Sequence, residues 1–238
     1  DGTAAEAPAV RGEATRTDLA PLREPPAAPQ VAAHNFRFSE DYDLYPSGAK
    51  TKYKNNVMAI KLLKQIELEK RTATPEEQII LARYVGWGGL ANAFSSTASG
   101  WENEYQELKS LLTDVEYKAA MNSTITAYYT EPDLIRHIYR ALERFGFEGG
   151  PDRKILDPGM GTGNFYSVLP EQFQESKLFG VELDSITGRI AKQLYPDADI
   201  SIMGYEATKF EDNSFDVILG NIPFNSVKIY DRRYNDLN

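Results

Sequence analysis

The sequence predicts an α/β fold, with about four parallel strands alternating with helices, preceded by a mostly helical region. Three observations carry this reading. A short apolar strand at 154–156 runs into the turn Asp157-Pro158-Gly159-Met160-Gly161-Thr162-Gly163 and then into an apolar stretch at 165–169. Further strand-like runs follow at 178–182 and 199–203, with a helical pattern at 185–194 between them. Finally, 215–219 is a continuous apolar run broken only by Asp216, as expected of a strand inside a parallel sheet.

Bulk properties suit a globular chain. Of 238 residues, 42% are hydrophobic and 26% charged, enough for a sizeable core. No apolar run is long enough to span a membrane. With no Cys and two His, disulfides and Cys/His metal sites are excluded, and a cytoplasmic setting without metal is expected. The net charge of −9 argues against the whole surface being a nucleic-acid clamp. Residues 50–71 nevertheless carry Lys50, Lys52, Lys54, Lys61, Lys64, Lys70 and Arg71 against Glu67 and Glu69, a local excess of five positives. A solvated helix face is the simpler account of that stretch, and a phosphate-contacting face for DNA the sharper one.

Taken in order, residues 1–35 are rich in Ala and Pro and poor in large apolar side chains, the composition of a disordered leader. Phe36, Phe38, Tyr42 and Tyr45 mark an irregular strap expected to pack on the helices that follow. Apolar residues at 57, 60, 63, 66 and 68 predict a helix over 53–70. Thr74-Pro75-Glu76-Glu77 is a helix start, with a Thr N-cap, Pro at the first position and acids in the first turn. That helix ends at Gly86-Trp87-Gly88-Gly89, where Trp87 reads first as a packed anchor. Two more short helices fit 102–112 and 114–121, so 36–127 forms the helical region.

The segment 128–238 begins with Tyr128-Tyr129-Thr130-Glu131-Pro132-Asp133, which predicts a helix capped by Thr130 and Asp133. Its apolar face is Leu134, Ile135, Ile138, Leu142 and Phe145. The strand–glycine–helix arrangement after it points backbone N–H groups at a polar ligand, and glycine permits close approach and positive φ. The spacing is not that of a dinucleotide fingerprint: counting from Gly159 or Gly161 puts Asn164 or Tyr166 where the last glycine belongs. Glu182, nineteen residues beyond Gly163, ends the second strand, where a carboxylate can accept both hydroxyls of a ribose. Asp184 beside it reads as a helix N-cap.

Asp157-Pro158-x-x-Gly161-x-Gly163-x-Phe165 resembles motif I of class I S-adenosylmethionine-dependent methyltransferases, in the form typical of DNA adenine-N6 methylases. The resemblance implies a Rossmann-like domain, here partial, with S-adenosylmethionine held by Asp157, Gly159, Gly161, Gly163 and Glu182. Tyr129 and Thr130 are similar to motif X, whose aromatic and Thr contact the methionine end, although Glu131 intervenes before Pro132. Glu206, after the third strand, is the candidate for the cofactor's adenine amino group, with Tyr205 nearby.

Asn221-Ile222-Pro223-Phe224 resembles motif IV of the same family, (N/D/S)-P-P-(Y/F), with Ile222 for the first Pro. The chemistry explains these residues. An exocyclic amine conjugated to a ring is a poor nucleophile. The Asn221 side-chain oxygen and the Ile222 carbonyl can hold its two N–H bonds and favour the pyramidal nitrogen that attacks, while Phe224 stacks on a flipped base.

The loosely similar 36–127 resembles the region before the methylase motifs in methyltransferase–helicase fusions of plasmids and phages. A downstream methyltransferase half, and a helicase module, are therefore expected partners in one longer chain. The sequence opens on Asp1 rather than Met and ends fourteen residues after Phe224, so a fragment with weak or no activity of its own is expected. The competing functions are methylation of a protein glutamine or an RNA amine, and a non-catalytic cofactor-binding scaffold in an anti-restriction protein. A nicotinamide dehydrogenase is disfavoured by the glycine spacing.

Overall fold

Short apolar segments separated by glycine- and acid-bearing turns assemble into one sheet in the computed structural model, which describes residues 34–45, 47–125 and 130–222. The strands are β1 (Lys154–Asp157), β2 (Lys177–Glu182), β3 (Asp199–Ile202) and β4 (Val217–Ile218). All pairings are parallel and the order is β3-β2-β1-β4. The chain thus runs outward from β1 through β2 to β3, then returns to the other side of β1. That reversal makes the carboxyl ends of β1 and β4 the switch point, where ligands of such sheets bind.

The register is set locally. Leu156 pairs with Phe179 on one side and Ile218 on the other. The Leu219 N–H donates to the Leu156 carbonyl at 2.9 Å, and the Asp216 N–H to that of Lys154 at 3.0 Å. Asp216, the one polar residue in its run, accepts from the Lys154 N–H at 2.8 Å and pairs with Arg153 at 2.9 Å. The Lys154 N–H first, and then Arg153, lower its pKa. Asp216 therefore fixes where β4 begins beside β1.

Helices α5 (Pro132–Arg144), α6 (Asn164–Ser167) and α7 (Ser185–Leu194) accompany the sheet. Ile135 and Tyr139 are the buried apolar side chains of α5, and the Tyr139 hydroxyl donates to the Phe165 carbonyl at 2.9 Å. α6 is a single turn, shorter than the apolar stretch suggests. Its Tyr166 hydroxyl reaches under the sheet to the Phe179 carbonyl. Asp184 caps α7 as expected, accepting from the Thr187 N–H at 2.8 Å.

Before these come α1 (Ala49–Leu68), α2 (Pro75–Ala82), α3 (Glu102–Leu111) and α4 (Asp114–Asn122). α1 buries Val57, Ile60, Leu63 and Ile66 of the helical face read from the sequence, with Tyr53 beside them, whereas Leu68, at the helix's last position, is exposed. Thr74 with Glu77 and Thr113 with Glu116 form complete capping boxes. Trp87 is 1% exposed, edge-on to Tyr84 at 6.3 Å and to Phe94 at 5.2 Å, and is a core anchor. Arg189 of α7 pairs with Glu67 of α1 at 2.9 Å and with Glu116 of α4 at 3.0 Å, tying the helices to the sheet layer.

The basic stretch is largely committed within the molecule. Lys50, Lys61 and Lys64 pair with Glu104, Glu107 and Glu116, and Arg71 with Glu69 and Glu77. Exposed pairs of this kind contribute little to stability, but they lower the charge offered outward. Among the described residues no helix is long and apolar enough to cross a membrane.

Candidate active site

The site is built on the turn between β1 and α6. Asp157 ends β1 at 1% exposure, and its Oδ1 accepts from the Gly159 N–H at 3.1 Å. Met160 donates its N–H to the Val181 carbonyl at 3.0 Å and lays its thioether over Gly180, where a Cβ would stand 2.1 Å from the sulfur. The turn is thereby pinned onto β2. Gly161 and Gly163 have φ of 58° and 88°, in the left-handed region. A Cβ on Gly163 would also come 2.3 Å from Tyr195 Cε2. Both glycines are set by conformation, and Gly163 by packing as well.

Glu182 reaches across from β2. Its Oε2 accepts from the Gly161 N–H at 2.9 Å and its Oε1 from the Asp184 N–H at 2.7 Å. Each carboxylate oxygen retains a further lone pair, which leaves acceptor capacity for two hydroxyls. Burial, together with the negative charge of Asp184, pushes Glu182 up to about 7 against the pull of those N–H donors. Burial, and then the charge of Glu182, push Asp157 up to about 7 as well. A cation bound beside two carboxyl groups held this way would favour their ionised forms, because a positive charge offsets part of their desolvation.

The loop after β4 joins the same edge. The Gly220 backbone passes so close to Asp157 that a Cβ would lie 2.4 Å from Oδ1. Asn221 follows directly, and both Asn221 and Ile222 are exposed. Pro223, Phe224 and Tyr129 lie outside the described residues.

Thr130 leads into α5, and its carbonyl accepts from Asn164 Nδ2 at 3.4 Å. It is not the helix cap predicted for it. Glu131 takes that position in an extended conformation without a side-chain cap bond, and Asp133 pairs with Arg136 at 2.6 Å instead of closing a box. The reason is Pro132 at the first helical position, which makes its predecessor the extended residue. Glu206 sits in the turn Tyr205–Ala207 after β3, exposed, with its carboxylate folded back over Gly204. It shares the edge with Gly161 but stands at the far side of β2.

Sequence reasoning assigned no role to Asn164. Asn164 opens α6 immediately after Gly163, and its amide bonds to the Thr130 carbonyl and the Thr162 hydroxyl.

This strand order, with a glycine turn held between Asp157 and Glu182 at its switch point, is that of a Rossmann-like α/β domain. A family model described as a methyltransferase domain matches residues 155–234, which include the glycine turn, Glu182 and Asn221. S-adenosylmethionine is the cofactor that match implies, and the paired carboxyls and left-handed glycines fit a cationic nucleoside.

Among particular proteins, the chain is similar to Defense against restriction protein B of Escherichia phage P1, at 26% identity over 171 residues. It is also similar to Modification methylase CviBIII of Paramecium bursaria Chlorella virus NC1A, at 32% identity over 78 residues. These matches cover 71% and 33% of this chain but only 6% and 21% of those proteins. A TehB-like SAM-dependent methyltransferase from Corynebacterium glutamicum ATCC 13032 Kitasato is 24% identical, with a TM-score of 0.27 over 38% of this chain and 54% of that one. That overlap is too slight to bear on function.

Proposed function

We propose that the chain carries the cofactor site and the transfer loop of a methylase acting on the exocyclic N6 amine of adenine in DNA. The observation that carries this reading is the contact of Gly220 with Asp157, which sets Asn221 beside the glycine turn. Asn221 Oδ1 and the Ile222 carbonyl would accept the two N–H bonds of the target amine, and Phe224 would stack on the flipped base. Glu182 would hold the ribose hydroxyls, Asp157 and the glycine turn the sulfonium side, and Tyr129 and Thr130 the methionine end. The cofactor supplies a methyl group already activated on sulfur, so the protein's part is positioning and electrostatics.

The name of the viral relative, a modification methylase, supports DNA as the target. That of the phage relative supports a setting in defence against restriction. The test is incubation of the chain, and of a longer protein containing it, with tritiated S-adenosylmethionine and duplex DNA. Label recovered as N6-methyladenine from the longer protein supports the reading. Label appearing instead on glutamine peptides or RNA, or cofactor binding with no transfer to any of these, overturns it.

A further inference from the structure

The glycine turn is held at three points. Asp157 accepts from the Gly159 N–H and Glu182 from that of Gly161, and both carboxyls stand at strand ends. The third support is a ring. Tyr195, 1% exposed, packs so closely on Gly163 that a Cβ there would stand 2.3 Å from Cε2 and 2.8 Å from Cδ2. The same ring is edge-on to Tyr166 of α6, with centroids 5.8 Å apart. Tyr195 therefore backs the turn and α6 together.

What fixes Tyr195 lies in the helical region. Tyr195 directly follows α7, and a helix leaves its last carbonyls unpaired. Gln78 of α2, itself buried, donates from Nε2 to the Gln193 carbonyl at 3.0 Å and to the Leu194 carbonyl at 3.4 Å. The Phe36 N–H reaches the Leu194 carbonyl as well, at 2.7 Å. Gln193 returns the bond, its Oε1 accepting from the Ala73 N–H at 2.9 Å. Two glutamines thus cross-link α2 and the residues before it to the final turn of α7. Packing agrees: Phe36 and Ala82 share with Leu194, Tyr195, Thr162 and Asn164 the border of a gap of only about 10 Å³.

Gln78 does not serve packing alone. Its Nε2 also donates to the His34 carbonyl at 2.8 Å, but its Oε1 is buried with no partner among the described residues. A buried orphan acceptor is destabilising, and an apolar side chain of the same length would avoid it. Such a side chain could not hold the Gln193 carbonyl. The amide's own contribution is the position of the last turn of α7, and of the tyrosine that follows.

We propose that Gln78 is a positioning residue of the cofactor site, setting the glycine turn through the end of α7 and Tyr195. The inference rests on the glycine turn being the S-adenosylmethionine site. It gives the helical region a task, as the footing of that pocket.

The test is hydrogen exchange and calorimetry on the whole chain. Gln78→Met keeps the length and removes the amide. Without ligand, peptides covering 158–167 should exchange about five- to tenfold faster, the equivalent of one hydrogen bond, while those covering β2 keep the wild-type rate. Affinity for S-adenosylmethionine should fall by about the same factor. Gln193→Met, at a less buried position, should act in the same direction and carries the test if melting curves show Gln78→Met unfolded. Arg83→Met is the control: it removes the bonds from the end of α2 to the Tyr42 carbonyl and should change neither reading. Wild-type turn exchange and affinity in folded variants, exchange raised equally in β2, or equal effects from Arg83→Met overturn the inference alone. A wild-type chain that binds no S-adenosylmethionine overturns the cofactor assignment and this inference with it.

Discussion

Gly220 and Asp157 are in contact across the switch point: a Cβ on the glycine would stand 2.4 Å from the carboxylate Oδ1 and 3.1 Å from Cγ. Asp157 cannot yield cheaply, since it is buried and bonded to the Gly159 N–H. Gly220→Ala must therefore move the loop that carries Asn221. Displacement by about 1 Å costs on the order of 100-fold in rate for a reaction governed by orientation. The expected outcome is a fall of that size in methyl transfer by a longer active protein. Circular dichroism should be unchanged.

Asn221→Ala removes one of the two proposed acceptors for the target amine without touching the glycine turn. Transfer should drop below detection, while calorimetry gives S-adenosylmethionine affinity within about twofold of wild type, as for an interaction made only with the reacting group. Equal loss of binding and transfer would place Asn221 in the cofactor site instead.

Asp157 and Glu182 both titrate near 7 in the folded chain, well above their ordinary range, chiefly because they are buried. Raised carboxyl pKa values make the folded state hold protons that the unfolded chain has already released. Their stabilising effect is thus fully present below the ordinary carboxylate range and is lost as pH rises toward 7. Tyr139 and Tyr166 lie near Asp157 but stay neutral throughout this window. The ligand-free chain should therefore melt higher at pH 5.5 than at pH 8, and Asp157→Asn should flatten the difference. Binding of a sulfonium favours the ionised carboxyls, so S-adenosylmethionine affinity should rise over the same interval. Calorimetry in buffers of different ionisation enthalpy should detect proton release.

Gly163 and Gly89 separate two causes of glycine dependence. Both have positive φ, 88° and 75°, but a Cβ on Gly163 strikes Tyr195 whereas one on Gly89 meets nothing within 4 Å. Gly89→Ala should cost about 1 kcal/mol from backbone strain alone, and Gly163→Ala about 1–3 kcal/mol more from overpacking. Urea midpoints of the two variants measure the difference.

The parts of this structure legible in the sequence are those with short-range causes. Asp184 as a cap, Thr74-Pro75 as a helix start, the Ile60–Leu63 face and the strand before Asp157 each follow from a few neighbouring residues. The nearness of Asn221 to the glycine turn was also within reach, because parallel strands put their following loops on one edge. What escaped depends on competition between neighbouring signals. Thr130 looked like a cap because its own neighbourhood permits it, but Pro132 assigns that place to Glu131. α6 is brief because Pro170 follows three residues after Ser167 and disfavours helix in the residue before it, a stop that the apolar stretch 165–169 obscures.

The strand order has a consequence for synthesis. Strands β1, β2 and β3 leave the ribosome consecutively and neighbour one another in the sheet, so the half of the pocket that holds Glu182 and the glycine turn can assemble as the chain emerges. β4 comes after them and inserts on the opposite flank of β1. The half of the pocket that carries Glu182 and the glycine turn is therefore synthesised before the loop that carries Asn221, so the two halves of the site are separable in the order of synthesis.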